Sequence, residues 1–274
     1  MIRLAMAALV VAAGCAAEDR VPSPAGKLFA HYTLCSGQNP CIPEIVITNR
    51  DRAEVRRFEV RNDEELCASI LEVQWAGENI IGVECHGNPS MSYYLEVDIA
   101  SGKVLRKYLG GSFVRSPDYE KVAHVGWIIH FAPPWVKSEY VQVGNTIVYP
   151  LPPGMKPLDQ KPLTMAPEVV RTRGLVYAGV HNLHSTFVWS ADSRKIGLVD
   201  CLVDYRLRDD SPEAFEEGGK EENLRCFAVV VGLDGTFRRK RIPPGSYQEF
   251  GLRWTDARTL VVTRAGRSVE VQIP

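Results

Sequence analysis

Residues 189–199, Trp-Ser-Ala-Asp-Ser-Arg-Lys-Ile-Gly-Leu-Val, combine a tight polar turn with a short apolar strand. Serine and aspartate favour the turn because their side chains bond backbone amides a few residues further on. The apolar and β-branched residues that follow suit a pleated, buried strand. The tryptophan before the turn supplies a large anchor between packed sheets. The segment therefore predicts a β-turn that leads into a core strand.

Four other segments repeat this order of polar turn and apolar strand: residues 23–32, 75–83, 115–125 and 254–262. Further strand–turn–strand hairpins follow at 93–105 and 227–238. Two hairpins per repeat make a four-stranded antiparallel sheet, the blade of a propeller. The longer spacings between repeats hold a proline-rich segment, 151–173, and an acidic segment, 208–224, which we predict to be loops.

The repeats resemble those of TolB-type β-propellers, whose signature is Trp-Ser-Pro-Asp-Gly followed by an apolar strand. Residues 189–199 match best, and 23–32 and 116–125 match in part. The resemblance implies an all-β fold, a β-propeller of about five four-stranded antiparallel blades, or six if residues 151–180 hold a degenerate one. A β-sandwich built from the same hairpins is the alternative. The signature specifies a blade and no activity, so it implies no catalytic residue.

The first residues predict export. Met1-Ile2-Arg3 precedes an apolar run, 4–13, which is typical of a signal peptide and shorter than the ~20 residues of a membrane-spanning helix. Residues 12–15, Ala-Ala-Gly-Cys, resemble the lipobox of bacterial lipoproteins, which implies a lipid on Cys15 and a place in the outer membrane, facing the periplasm. Cleavage after Ala17, giving a soluble periplasmic or secreted protein, is the alternative. We predict a signal and anchor segment over 1–20 and one propeller-like domain over 21–274.

Six further cysteines predict disulfide bonds in an oxidising compartment. Six cysteines allow 15 pairings, but local geometry favours three pairs that each flank a turn or an insertion. The pairs are Cys35 with Cys41, Cys67 with Cys85, and Cys201 with Cys226. A zinc site is the alternative, but no Cys-x-x-Cys pair occurs, so we predict no metal and no cofactor.

Two segments carry candidate site residues. His181 and His184 directly precede the repeat at 189–199, where a propeller chain approaches its central channel, and they are candidates for a channel or ligand site. Phe131 and Trp135 flank two prolines in a predicted loop, and exposed aromatic residues make good anchors for a protein partner. Packing of these aromatics against a neighbouring blade is the alternative.

Other features limit the function. The sequence has no Gly-x-Ser-x-Gly, Walker, His-Glu-x-x-His or dinucleotide-binding motif. Glu96 and Asp98 form a carboxylate pair that we predict to lie on a surface hairpin without a catalytic role. A formal net charge of −1 argues against binding to nucleic acid, and the basic run 238–241 is predicted to be a solvated strand edge.

These observations predict a non-catalytic envelope propeller that binds another envelope protein, or acts as a scaffold, from an N-terminal lipid anchor in the membrane. The alternative is an enzyme or ligand-binding protein that acts on a glycan or small molecule in the propeller channel, with His181 and His184 as its first candidate residues. A purely structural lipoprotein is a third hypothesis.

Overall fold

The computed structural model describes residues 20–33, 43–60, 67, 69–88, 91–126, 139–150, 168–172, 175–183, 187–209, 211, 213–214, 220–246 and 249–273. Within these ranges the regular elements are twenty β-strands. Six predicted site residues lie outside the described ranges: Cys15, Cys35, Cys41, Phe131, Trp135 and His184.

The first two sheets are meanders, in which each strand pairs antiparallel with the next along the chain. The first consists of β1 (Val21–Pro22), β2 (Leu28–Tyr32), β3 (Glu44–Asn49) and β4 (Glu54–Glu59). The second consists of β5 (Ser69–Trp75), β6 (Ile80–Asn88), β7 (Met91–Asp98) and β8 (Val104–Arg115).

Strand β8 passes from the second sheet into the third. Its pairing with β7 ends at Gly110, and its pairing with β9 begins at Gly111. Gly110 and Ser112 have positive φ angles, 149° and 55°, which turn the strand at this point. The third sheet continues with β9 (Val122–Val125), β10 (Val141–Val143) and β11 (Thr146–Tyr149). The last strand of one blade therefore becomes the first strand of the next.

The fourth sheet has six strands and the fifth has three. The fourth contains β12 (Glu168–Thr172), β13 (Leu175–Leu183), β14 (Val188–Trp189), β15 (Lys195–Leu207), β16 (Lys220–Gly232) and β17 (Phe237–Ile242). The fifth contains β18 (Gly251–Trp254), β19 (Thr259–Arg264) and β20 (Arg267–Gln272).

Both predicted insertions contain strand, so the loop predictions for them were wrong in part. Strand β12 occupies the end of the proline-rich segment and pairs with β13 within the fourth sheet. The acidic segment includes the start of β16, where Lys220 pairs with Arg206 of β15. The polar residues there extend an existing hairpin because the ladder supplies partners for their backbone groups.

The sheets pack in chain order, which confirms the predicted all-β propeller architecture and disfavours a sandwich. One apolar cluster joins the first and second sheets, a small aromatic cluster the second and third, and two more join the third to the fourth and the fourth to the fifth. In a sandwich, two sheets would face each other across one core. Here each of the three middle sheets packs on both of its neighbours.

The tryptophans of the repeat connect neighbouring sheets through hydrogen bonds. The indole Nε1 of Trp75 donates to the Val21 carbonyl at 2.8 Å. Trp189 donates to Val114 at 3.0 Å, and Trp254 donates to Val188 at 2.9 Å. Each acceptor belongs to the preceding repeat. It lies one residue before the position that corresponds to the tryptophan in that repeat. In the second, fourth and fifth sheets the tryptophan thus fastens the blade to the preceding one through both packing and a hydrogen bond.

The Ser-x-Asp turn of the repeat has the same bonds in two sheets. Ser190 Oγ donates to Asp192 Oδ1 at 2.6 Å and accepts from the amide of Lys195 at 2.9 Å. Ser116 makes the equivalent bonds to Asp118 and Lys121, at 2.5 and 2.9 Å. The residue after each aspartate has a positive φ, which explains why the propeller signature prefers glycine there.

Two of the three predicted disulfides are present among the described residues. One bond joins Cys85 on β6 to Cys67, which lies two residues before β5, with Cα atoms 5.4 Å apart. Cys201 and Cys226 face each other on β15 and β16, with Cα atoms 4.0 Å apart. Both pairs are buried, so each bond crosslinks the inside of one blade.

Candidate functional site

A cavity of about 720 Å³ opens between the third and fourth sheets. Residues of β10 and β11 form one wall, and the turn between β16 and β17 forms the other. Apolar side chains such as Val148, Val231 and Leu233 line most of it. Its size is within the range of small-molecule binding sites.

A buried acid–histidine–tyrosine group lies at one end of this cavity. Asp200, on β15, is fully buried, and its Oδ2 accepts hydrogen bonds from Tyr149 Oη and from His181 Nδ1, the latter at 2.7 Å. Tyr149 ends β11, and His181 lies on β13, so three strands from two sheets meet here. Tyr149 and His181 line the cavity, and Asp200 stands behind them.

The partners of Asp200 fix the protonation and orientation of the group. A carboxylate only accepts hydrogen bonds, so His181 must carry a hydrogen on Nδ1 to bond it. The Tyr149 and His181 rings meet edge to face, with centroids 5.8 Å apart. Burial, followed by the charge of Asp200, raises the pKa of the Tyr149 hydroxyl, which therefore keeps its proton and remains a donor. The second oxygen of Asp200, Oδ1, is buried without a hydrogen-bond partner in the structure.

A second carboxyl group, Glu139, lies just before β10 and bonds to β13. Its Oε2 accepts the amide of Leu183 at 2.6 Å, and its own amide donates to the His181 carbonyl at 2.9 Å. Burial raises the pKa of Glu139 to about 7, the Leu183 amide opposes this shift, and the charge of Asp200 adds to it. Glu139 therefore holds the end of β13 and titrates near neutral pH.

We expect Glu139→Gln to remove a pH dependence of stability. The folded pKa lies above the ordinary value of 4.5, so the unfolded chain loses this proton first as pH rises. The contribution of Glu139 to wild-type stability should therefore fall between pH 4.5 and pH 7 and level off above pH 7. Because glutamine keeps the acceptor for Leu183 without the charge, the variant should gain about 2–3 kcal/mol over wild type at pH 8 and little at pH 4.5.

Urea unfolding of wild type and variant at both pH values measures this difference, and Glu120→Gln is the control. Glu120 has a side chain that is 76% exposed, so its replacement should change stability equally little at both pH values. An equal gain for Glu139→Gln at pH 4.5 and pH 8 would contradict the assignment.

The other parts of the cavity wall are aromatic and cationic. The Tyr149 and Phe237 rings stack with centroids 5.6 Å apart and an interplanar angle of 21°. Arg239, on β17, lines the cavity and lies with its guanidinium carbon 4.9 Å from the centroid of the Phe227 ring. Lys121 lines the opposite wall and pairs with Asp118 at 2.7 Å.

No family model matches the sequence, and no curated protein matches it. Solved structures show distant similarity, and three of them serve as examples. Hydrazine synthase from Kuenenia stuttgartiensis is 14% identical over 81% of this chain and 70% of that chain, with a TM-score of 0.36. The β-propeller domain of the Trilobed protease from Pyrococcus furiosus is 13% identical over 92% and 82%, with a TM-score of 0.37. TolB from Acinetobacter baumannii is 13% identical over 82% and 66%, with a TM-score of 0.31.

Similarity at this level transfers no function to the chain, and the fold assignment depends on its own sheets and their packing. The described ranges contain no helix that could cross a membrane. Nor do the side chains in those ranges include a group of three or more histidine, cysteine or acidic residues placed to hold a metal ion.

Of the predicted site residues, the structure places His181 at a cavity. This cavity lies between the third and fourth sheets, and the channel role of His181 stays a prediction. The other members of the site, Asp200, Tyr149, Glu139 and Arg239, were not predicted. Asp200 had a signal in the sequence, since it interrupts the apolar run 196–203 of a buried strand, where an acid is costly unless it is bonded.

Proposed function

We propose that this chain is an exported β-propeller protein that binds a small ligand in the cleft between its third and fourth blades. The observation that carries the proposal is the buried Asp200 carboxylate, which orients both Tyr149 and His181 at the wall of the 720 Å³ cavity. Burying a carboxylate is costly, and an apolar side chain of similar size would stabilise a blade core at least as well. A few fixed polar groups in an otherwise apolar cavity are typical of ligand sites.

Binding is favoured over catalysis by the groups that line the cavity. A histidine held by an aspartate serves as a general base where a nucleophile lies within hydrogen-bond reach. Among the side chains that can act as nucleophiles, the described lining includes Thr146, Thr236 and Lys121 but no serine or cysteine. Tyr149 keeps its proton because its pKa is raised, so it is suited to donate a hydrogen bond and not to attack a substrate.

The test fills the cavity with a bulky side chain. We expect wild type to bind at least one of four probes in ligand-observed NMR: 2-naphthoate, 2-naphthamide, 2-naphthylmethylamine and methyl glucoside. Thr146→Trp should weaken that binding by about tenfold or more, because the indole occupies the site and a tenfold change needs only about 1.4 kcal/mol. Thr236→Trp fills the same cavity from the other wall.

Leu105→Trp is the matched control, since Leu105 is 51% exposed on β8 and does not line the cavity. It should bind the probes as wild type does. The proposal fails if none of the four probes binds wild type, or if folded Thr146→Trp and Thr236→Trp bind as tightly as wild type.

We also propose that Cys15 carries a lipid at the outer membrane and that an envelope protein binds the chain through Phe131 and Trp135. The lipobox resemblance and the signal pattern support the anchor, and buried disulfides are consistent with an oxidising compartment. Loss of membrane fractionation in Cys15→Ser would support the anchor, and unchanged retention would reject it. Crosslinking in intact envelopes, followed by a pull-down, tests for a stoichiometric partner that is lost in Phe131→Ala and Trp135→Ala.

A further inference from the structure

We infer that the cleft between the third and fourth blades selects an organic anion, a small acid with a flat apolar body. This inference rests on the proposed function, because it specifies the ligand class of the same cavity. It is carried by the sign of the charges that line the cavity and by the aromatic surface beside them.

The charged residues in the described cavity lining are both cations, Lys121 and Arg239. No aspartate or glutamate contributes to that lining. Three acids lie next to the lining without belonging to it. Asp200 is fully buried behind His181 and Tyr149, and its Oδ2 already accepts a hydrogen bond from each of them. Asp118 is paired with Lys121 at 2.7 Å, and Asp234 Oδ1 accepts the Thr236 amide at 2.9 Å. The charge that a ligand meets is therefore positive.

The two cations differ in how far they are already neutralised. Lys121 pairs with Asp118 at 2.7 Å and lies 3.5 Å from Glu120. Arg239 forms no ion pair within the described part of the chain and is held by its stack on Phe227. A guanidinium fixed on an aromatic face keeps its donors directed outwards and can bind a carboxylate in a bidentate manner. Arg239 is thus the group that selects the anion.

The aromatic and aliphatic side chains of the cavity wall favour a ligand with a flat apolar body. Phe237 stacks on Tyr149 yet remains 40% exposed, so part of its ring is open to the cavity. Val148 and Val231 complete an apolar wall. A flat apolar group gains most from contact with such a wall, whereas a sugar needs several hydrogen-bond partners that this wall does not supply.

The test compares three probes of the same shape and different charge by isothermal titration calorimetry. Wild type is expected to bind 2-naphthoate at least about tenfold more tightly than neutral 2-naphthamide, and cationic 2-naphthylmethylamine most weakly, because a charge-assisted hydrogen bond is the stronger kind. Arg239→Gln should remove the preference for naphthoate over naphthamide.

Arg238→Gln is the matched control. It removes the same charge from the neighbouring position of β17, but Arg238 points to the other face of the strand and does not line the cavity. It should keep the preference for naphthoate.

The comparison of probes on wild type does not depend on any variant folding. If naphthamide or the amine binds as tightly as naphthoate, the inference is overturned while the proposed ligand site stands. If Arg239→Gln keeps the full preference, Arg239 is not the selecting group and the inference is likewise overturned. If no probe binds, the proposed function itself fails.

Discussion

Arg115→Leu is expected to lower the free energy of unfolding by about 3 kcal/mol, because it leaves a buried carboxylate without its main partner. Arg115 stands where three other repeats have tryptophan, and its side chain is 6% exposed. Its guanidinium donates to Glu96 at 2.5 Å and to the Tyr94 hydroxyl at 3.2 Å. Glu96 is 1% exposed, and among the described residues it keeps only the exposed Arg106, at 3.0 Å, as a side-chain partner when Arg115 is removed.

The double variant Arg115→Leu with Glu96→Leu separates the ion pair from packing. Removing both charges leaves no buried carboxylate unpaired, and both variants lose the bond from Arg115 to the Tyr94 hydroxyl alike. The double variant should therefore be clearly more stable than Arg115→Leu alone. Urea unfolding of the wild type, the two single variants and the double variant gives the coupling energy. If the stability losses of the two single variants sum to the loss of the double variant, Arg115 and Glu96 are not coupled. That result would contradict the assignment of a buried ion pair at the tryptophan position.

Trp189→Ala should destabilise the protein by about 3–5 kcal/mol, the range for removing a large buried aromatic side chain. Trp189 is 7% exposed in the apolar cluster that joins the third and fourth sheets. Its indole also donates to the Val114 carbonyl, so alanine removes a hydrogen bond between blades together with the packing.

Trp189→Phe is the matched control for this variant. Phenylalanine keeps most of the buried ring and loses the indole donor, so the expected loss is about 1–2 kcal/mol. Thermal or urea unfolding of both variants tests the assignment. Equal stability of the alanine and phenylalanine variants would mean that Trp189 does not anchor one blade on the next.

The repeat could be predicted because its signals are local. The turn residues, the apolar strand and the tryptophan lie within eleven positions, 189–199, and each favours one local structure. The disulfide pairs Cys67–Cys85 and Cys201–Cys226 were predictable for the same reason, since each spans a single hairpin.

Glu96 shows where local reasoning fails. The alternation of β7 places Glu96 and Asp98 on one face, and this face was predicted to be surface. That prediction was wrong for Glu96, which is buried because Arg115, nineteen residues further along the chain, pairs with it. Asp98 instead caps the following turn through the Ala100 amide, at 2.9 Å. The arginine in the tryptophan position was the one signal in the sequence for this difference.

The candidate site could not be predicted from the sequence, because its members come from separate blades. Tyr149 and Asp200 are 51 positions apart, and Glu139 and Leu183 are 44 apart. Pattern analysis singled out His181 from its neighbours in the chain, yet its aspartate partner lies on the adjacent strand in space. Only the packing of the third sheet on the fourth brings these groups together.

The measurement that tests the ligand site most directly follows the histidine rings by NMR. With imidazole nitrogens labelled, the probe that wild type binds most tightly is titrated to saturation. The account predicts that the His181 resonances shift along the binding curve, while those of His124, buried in the third sheet with Nε2 2.8 Å from the Gly144 carbonyl, stay in place. Saturating binding that leaves His181 unchanged, or that moves both histidines alike, would contradict a ligand site at this cleft.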